Sequence, residues 1–171
     1  TYVKQERIAV LYTMGVLQRM EKASRHGELE IGGGAGEMGY ALAKGLPPSF
    51  TWINCDLPRS LAFAATRLSV LLPEKQHVVY VGDCRVPEGI DESLILRAPS
   101  AVAALEGAVV SVPHFLLDEL KPHLALDLAF NAWSLAEMSP DIAKAYALSV
   151  KEMIDHSGVL VEQNGDLTNV G

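Results

Sequence analysis

Apolar positions along this chain change their period several times, and each change marks an expected element. Ile8, Val10, Leu11, Met14, Leu17 and Met20 form a broad stripe at helical spacing, which predicts a helix ended by Arg25-His26-Gly27. Leu29 and Ile31 then alternate with Glu28 and Glu30 as a short strand, and four glycines follow within the five residues Gly32 to Gly36. Met38, Ala41 and Leu42 give the next segment one buried side, so a helix is expected there, with Gly45 as its C-cap and Pro47-Pro48 forbidding continuation. Phe50, Trp52 and Ile53 mark a second strand that stops at Asp56. Leu61, Ala64, Leu68 and Leu71 mark a second helix, from Pro58 to Pro73.

Two runs compete for the third strand. His77 to Asp83 (HVVYVGD) and Ala108 to Pro113 (AVVSVP) are equally rich in β-formers, and a sheet of the expected kind has one place for them, so one is extra or lies at an edge. The first is favoured and the second stays open. Residues 84–107 between them carry Pro87, Gly89, Pro99 and Gly107 and are expected as a loop with a short helix around Ser100 to Leu105. After a short helical segment, Phe115 to Leu120, the apolar run Leu124 to Asn131 supplies the fourth strand. Ser139-Pro140-Asp141 then opens a helix through Ile142, Tyr146, Val150 and Ile154, closed by Gly158, and Val159 to Val161 form a fifth strand. This alternation predicts an α/β chain: a Rossmann-like three-layer α/β/α sandwich with a mainly parallel sheet in the order 3-2-1-4-5. Residues 1–27 are expected as a helical segment packed on a single domain formed by residues 28–171.

Composition narrows the chemistry. With 171 residues, 49% of them apolar, the chain is long enough to bury about 70% of its unfolded surface without disulfides or metal. The net charge of −7 and the lack of any Lys/Arg run argue against nucleic acid as a partner. Cys55 and Cys84 stand apart without a C-x-x-C pair, and neither a secretory signal nor a membrane-length apolar run is present, so a cytoplasmic location is expected. His26, His77, His114, His123 and His156 show no metal-ligand spacing, and Asp127, Glu137 and Glu162 form no ligand motif. No metal site is expected from these residues, and whether a divalent ion assists stays open.

The glycine turn is where the chemistry concentrates. Glycines there adopt backbone angles that a β-carbon forbids and let a ligand approach the start of the following helix. Gly34, Gly36 and Gly39 match the G-x-G-x-x-G of dinucleotide-binding folds, whereas Glu30-Ile31-Gly32-Gly33-Gly34-Ala35-Gly36 looks like the E/D-x-G-x-G-x-G turn of S-adenosylmethionine (SAM) methyltransferases. Carboxylates at Glu28, Glu30 and Glu37 would repel a pyrophosphate, whereas the one at Glu30 would attract the cationic sulfonium and ammonium of SAM. Asp56 stands 20 residues after Gly36, where the second strand of a βαβ unit delivers a carboxylate to the ribose hydroxyls of an adenosine cofactor. The other role open to it is an N-cap for the helix at Pro58. Asn131, Trp133 and Ser134, at the end of the fourth strand, are expected to face the cofactor or its acceptor, with ordinary packing the alternative for Trp133.

Further motifs carry a family resemblance. Asp56-Leu57-Pro58 resembles the D-L-P of small-molecule O-methyltransferases with the class I fold, and Phe130 to Ser139 (FNAWSLAEMS) looks like the N-x-x-S-x-x-E-M segment of sugar O-methyltransferases. Val161 to Val170 (VEQNGDLTNV) resembles the strand and loop that follow there. The resemblance spans Glu28 to about Val170 and implies SAM-dependent transfer of methyl to a hydroxyl of a small molecule, a sugar by the narrowest motif. It implies cofactor contacts at Glu30, Gly32, Gly33, Gly34, Gly36, Asp56, Leu57 and Asn131, and an adenine contact at Asp83, with Pro113-His114 the alternative. A sugar hydroxyl is a poor nucleophile, so a general base is sought near the strand ends; Glu137 is the first candidate and His114 the second. Class I methyltransferases normally finish with another helix and two strands. The chain stops at Gly171 without them, so either it is a segment of a longer protein or its sheet has an open edge inviting a partner, which leaves a homo-oligomer open. An NAD(P)-dependent oxidoreductase using Gly34, Gly36 and Gly39, and a cofactor-binding module without catalysis, are the rival functions.

Overall fold

The computed structural model describes residues 27–163. The expected N-terminal helix and the part of VEQNGDLTNV beyond Gln163 lie outside the described residues. Strand β1 (Gly27–Ile31) leads through the glycine turn into helix α1 (Glu37–Gly45), and β2 (Thr51–Asp56) leads into α2 (Pro58–Leu71). Pro58 sits in the first turn of α2, where its missing N–H forfeits no helical hydrogen bond. There follow β3 (Gln76–Tyr80), β4 (Ile95–Leu96), α3 (Pro99–Ala103), β5 (Ala108–Pro113), α4 (Leu117–Leu120), β6 (Leu126–Ala132), α5 (Ser134–Glu137), α6 (Pro140–Met153) and β7 (Ile154–Gln163).

The seven strands make one sheet in the order β4-β3-β5-β2-β1-β6-β7, and every neighbouring pair is parallel. Parallel neighbours require crossovers, and the helices that make them cover both faces. On one face Met38 and Leu42 of α1 pack with Leu128, Phe130 and Val161, and Ala64 and Leu68 of α2 pack with Trp52 and Val109. On the other, Val102 of α3, Leu117 and Leu120 of α4, Leu135 of α5, and Val150 and Met153 of α6 cover Leu29, Ile31, Ile53, Cys55, Val110 and Val112. The α/β three-layer sandwich is therefore present, with β2, β1 and β6 at its centre.

Both rival runs belong to the sheet, and their order resolves their competition. β5 pairs with β2, aligning Pro113 with Asp56, while β3 lies one place further out on the far side of β5. The strand beside β2 is thus Ala108–Pro113 and not the favoured His77 run. Packing accounts for the order: five of the six β5 residues are buried, whereas β3 alternates and begins exposed, as suits a strand nearer the edge. The two-residue β4 within the expected loop extends the sheet beyond β3. Other boundaries also shift. α6 ends at Met153, and Ile154 pairs with Leu126, so Gly158 lies inside β7 and closes no helix. A Cβ there would lie 2.5 Å from the Leu126 carbonyl oxygen, at the irregular register between β6 and β7, and a glycine admits that approach. Gly45 is the last residue of α1 and Leu46, in extended conformation, is its C-cap.

An unusual row of polar groups lies inside the α1/α2 face. Glu28 aligns with Trp52, and Glu30 with Asn54. Glu28 is fully buried; its two carboxyl oxygens, the indole nitrogen of Trp52 and both ends of the Asn54 amide have no hydrogen-bond partner among the described residues. Burial, followed by the nearby Glu30, pushes the Glu28 carboxyl well above the ordinary carboxylate range. The unfolded chain releases this proton at its ordinary pKa, near 4.3, while the native state keeps it, so stability falls as pH rises through the interval between the two values. Glu28→Gln, which keeps the shape and removes the ionisation, is expected to melt higher than the parent at pH 7–8. The gap should close below about pH 4, where both states are protonated. Melting curves across that range check it; an equal or lower melting temperature for Glu28→Gln at pH 8 would show a charged and well-solvated carboxylate.

Candidate functional site

The turn after β1 is built by packing on both sides. The Gly32 N–H donates to the Cys55 carbonyl (2.8 Å), and Gly32 holds a left-handed φ of 71°, with the side chain of Ser134 in the space a Cβ would occupy. Beneath Gly33 lie the carboxyl of Glu30, itself 4% exposed, and the Asn54 amide oxygen. Gly36 is the N-cap of α1 and backs onto Leu68, and Gly39 rides on the Trp52 indole. Gly34 differs from all of these. Its φ is 52° and a Cβ there would meet nothing within 4 Å, so this glycine faces open space.

Asp56 ties the turn to the end of β2. One carboxylate oxygen accepts the Gly34 N–H at 2.8 Å and the other accepts the Leu57 N–H at 2.6 Å. The N-cap of α2 is Leu57, not Asp56. On the far side of the turn, Arg67 of α2 pairs with Glu37 at 2.6 Å and donates to the Ala35 carbonyl at 2.9 Å.

The end of β6 is fastened to the end of β1 in the same manner. The buried Asn131 amide donates to the Ile31 carbonyl (2.9 Å) and to Ser134 Oγ, and its oxygen accepts the Leu135 N–H. Ser134 Oγ donates to the Ile31 carbonyl as well, at 2.9 Å. Trp133 between them takes a φ of 70°, the one positive φ at a non-glycine among the described residues. That conformation costs of order 1–3 kcal/mol and persists because the Asn131 and Ser134 bonds fix both sides of it.

These loops surround a cavity of about 380 Å³ at the carboxyl ends of the central strands, lined by Ile31, Gly32, Cys55, Asp56, Leu57, His114, Ser134, Glu137, Met138, Ile142 and Tyr146. A second cavity, of about 410 Å³, opens near Gly27, Thr51 and Leu126, at the amino ends. The first is the candidate site, because ligands of open α/β sheets bind outside the carboxyl ends where the strand order reverses, here between β1 and β6. Of the expected residues, the cavity brings together Gly32, Asp56, Leu57, His114 and Glu137. Gly34 and Asn131 brace its walls through the bonds above, while Glu30, Gly33 and Gly36 lie under or behind the turn. Asp83 falls elsewhere, on the exposed segment after β3, two strands away from β2.

The cavity's electrostatics are acidic. Among the described residues that line it are two carboxylates and neither Lys nor Arg. Burial, then Asp56, pushes the Cys55 thiol up to about 12, so it stays neutral. Burial, then Cys55, Asp56 and Asp118, pushes the Tyr146 phenol up to about 12. His114 stands edge-on to Phe115, and its Nδ1 is buried without a hydrogen-bond partner among the described residues. Cys55 and Tyr146 were not expected in the site. Tyr146 falls on the apolar stripe of its helix, and a hydroxyl on such a stripe, which needs a partner, is the signal that could have marked it. Among the described residues no group of three His, Cys, Asp or Glu side chains is placed to hold a metal, and no helix is long and apolar enough to cross a membrane.

No family model matches the sequence, and no curated protein matches it. Solved structures do. The O-methyltransferase TomG from Streptomyces achromogenes, involved in tomaymycin synthesis and crystallised with SAM, aligns over 93% of this chain and 54% of its own, with a TM-score of 0.54 and 20% identity. DhpI in complex with SAM and HEP aligns over 98% of this chain and 58% of its own, with a TM-score of 0.51 and 18% identity. This chain has their fold. It spans little more than half the length of either.

Gly32 and Gly34 offer a direct check on the turn. Both have positive φ, so alanine at either costs about 1–2 kcal/mol of backbone strain; at Gly32 the new Cβ also collides with Ser134, adding about 1–3 kcal/mol. Urea denaturation is expected to rank Gly32→Ala clearly below Gly34→Ala. Equal losses would mean that the β6 loop yields freely.

Proposed function

We propose that this chain is the cofactor-binding core of a cytoplasmic SAM-dependent O-methyltransferase acting on a hydroxyl of a small molecule, with a sugar as the acceptor class. The observation that carries the proposal is the cleft beside the glycine turn, which presents Asp56 and Glu137, has no Lys or Arg among the described residues that line it, and has its Gly34 N–H already engaged by Asp56. A pyrophosphate needs free backbone N–H groups at the turn and a tolerant charge environment. A cationic sulfonium ligand suits this cleft better. The support differs in part from that expected of the sequence, since Glu28 is buried with its carboxyl pushed well above the ordinary range and Glu37 is paired with Arg67.

Asp56 would accept the ribose hydroxyls, the turn from Gly32 to Gly36 would admit the methionine end with Glu30 beneath it, and Leu57 would lie against the adenosine. β5, not β3, ends opposite Asp56, which favours His114 over Asp83 near the adenine. When bound, SAM supplies a methyl carbon on a positively charged sulfur. The chain's own part is to hold an acceptor oxygen in line, exclude water and remove the hydroxyl proton. Glu137 is exposed at the cavity rim and His114 half-buried in its wall, and both reach the same space. We assign Glu137 as the base, with His114 second. The acceptor motif Asn131-x-x-Ser134-x-x-Glu137-Met138 supports the sugar class.

The oxidoreductase alternative retains Gly34, Gly36 and Gly39, and Gly39 packs closely on Trp52 as the third glycine of that motif would; the engaged Gly34 N–H and the carboxylates of the cleft are what weigh against it. Calorimetric titration is expected to show binding of S-adenosylhomocysteine and none of NADH, and Asp56→Ala should lower the former affinity at least tenfold through loss of hydrogen bonds to a charged acceptor, worth about 1.5–3 kcal/mol. Binding of NADH alone would overturn the proposal. For the chemistry, Glu137→Gln is expected to slow single-turnover methylation about 10²–10⁴-fold at saturating SAM. Losses under tenfold in both Glu137→Gln and His114→Gln, with cofactor affinity retained, would leave positioning as the source of catalysis.

A further inference from the structure

Two polar side chains of the cavity, Ser134 and Asp56, are already engaged. Ser134 Oγ donates to Ile31 and accepts from Asn131, and the Asp56 carboxylate accepts one N–H on each oxygen, which leaves further lone pairs facing outward. Tyr146, like His114 Nδ1, has no such partner among the described residues. Its ring packs at the margin of the core formed by Val150 and Met153 of its own helix and by Ile31 and Cys55 of the sheet, and it lines the cavity together with Asp56. Its hydroxyl makes no hydrogen bond among the described residues, although a tyrosine anchored in a core normally finds a partner for its O–H.

The phenol remains protonated over the physiological range, so it is a donor, and Asp56, which contributes to holding it protonated, is an acceptor only. A donor and an acceptor sharing one cavity match a ligand bearing adjacent hydroxyls: one hydroxyl donates a hydrogen bond to the carboxylate while an oxygen of the pair accepts one from the phenol. Resting on the SAM reading of this site, we propose that Tyr146 Oη donates to a ribose hydroxyl oxygen of the cofactor opposite Asp56, so that the vicinal diol is read by a donor from α6 and an acceptor from β2. Recognition then spans the two layers, since a methyltransferase that held the ribose through Asp56 alone would leave α6 out of cofactor binding.

The test uses the whole chain, with S-adenosylhomocysteine and its 2′-deoxy and 3′-deoxy analogues as probes in calorimetric titrations. Tyr146→Phe keeps the ring and is expected to leave the melting temperature unchanged while weakening S-adenosylhomocysteine about three- to tenfold. One of the two deoxy analogues should bind the parent chain more weakly than S-adenosylhomocysteine, and that difference should shrink in Tyr146→Phe, because the hydroxyl and the phenol act as a pair. Unchanged affinity in Tyr146→Phe, or deoxy penalties identical in the two proteins, would overturn the role of Tyr146 and leave the SAM reading intact. Failure of the parent chain to bind S-adenosylhomocysteine would overturn the SAM reading itself and this inference with it.

Discussion

A single carboxylate joins the two strand ends on one flank of the cavity. Asp56 ends β2, and by accepting the Gly34 N–H it sets how far the glycine turn stands from that strand. The Gly32 N–H bond to the Cys55 carbonyl holds the start of the turn to the same strand, whereas Gly34 has no side chain and no neighbour within 4 Å of where one would begin. The start of α1, the face that Glu37 offers to Arg67 and the opening of the cavity all follow from this bond. Asn131 does the corresponding work on the opposite flank by pinning β6 to the last carbonyl of β1. The site is thus a β1 end clamped between two side chains that come from its two neighbouring strands.

Much of this frame was legible in the sequence because periodicity reports burial. β1, α1, β2 and α2 fall within a residue or two of their expected places, and so do the clefts' main residues Gly32, Asp56, His114 and Glu137. Strand order was not legible. His77–Tyr80 and Ala108–Pro113 look alike as sequence, and which of them lies beside β2 depends on how completely each is covered by helices, a property of the assembled layers. Glycine was the other source of error. Gly158 carries the signature of a helix end, yet it serves a close approach to the backbone of β6, and only the partner strand distinguishes the two uses. Tyr146 was read as part of an apolar stripe because its ring behaves as one; its hydroxyl belongs to the cavity.

Charge in the neighbourhood of the turn is arranged differently from its appearance in sequence. Three acids flank the glycines, but Glu28 is enclosed where burial disfavours its charge, Glu37 is matched by Arg67, and Glu30 lies beneath the turn. The negative character of the cleft comes instead from Asp56 and Glu137, brought together from residues 81 positions apart by the pairing of β1 with both β2 and β6. A cluster of like charges in sequence therefore says little about the field at a site until burial and pairing have been assigned.

The contact between Gly32 and Ser134 couples two walls that the chain builds a hundred residues apart. With no atom between the glycine backbone and the serine side chain, neither wall has slack toward the other, and a shift of the turn must carry along the short helix that bears Glu137. The two surfaces that a cofactor and an acceptor would touch form one stiff jaw. On the other side of the cleft, α6 contributes Ile142 and Tyr146 and makes no hydrogen bond to the turn among the described residues, so that side lacks the coupling that joins the first two walls.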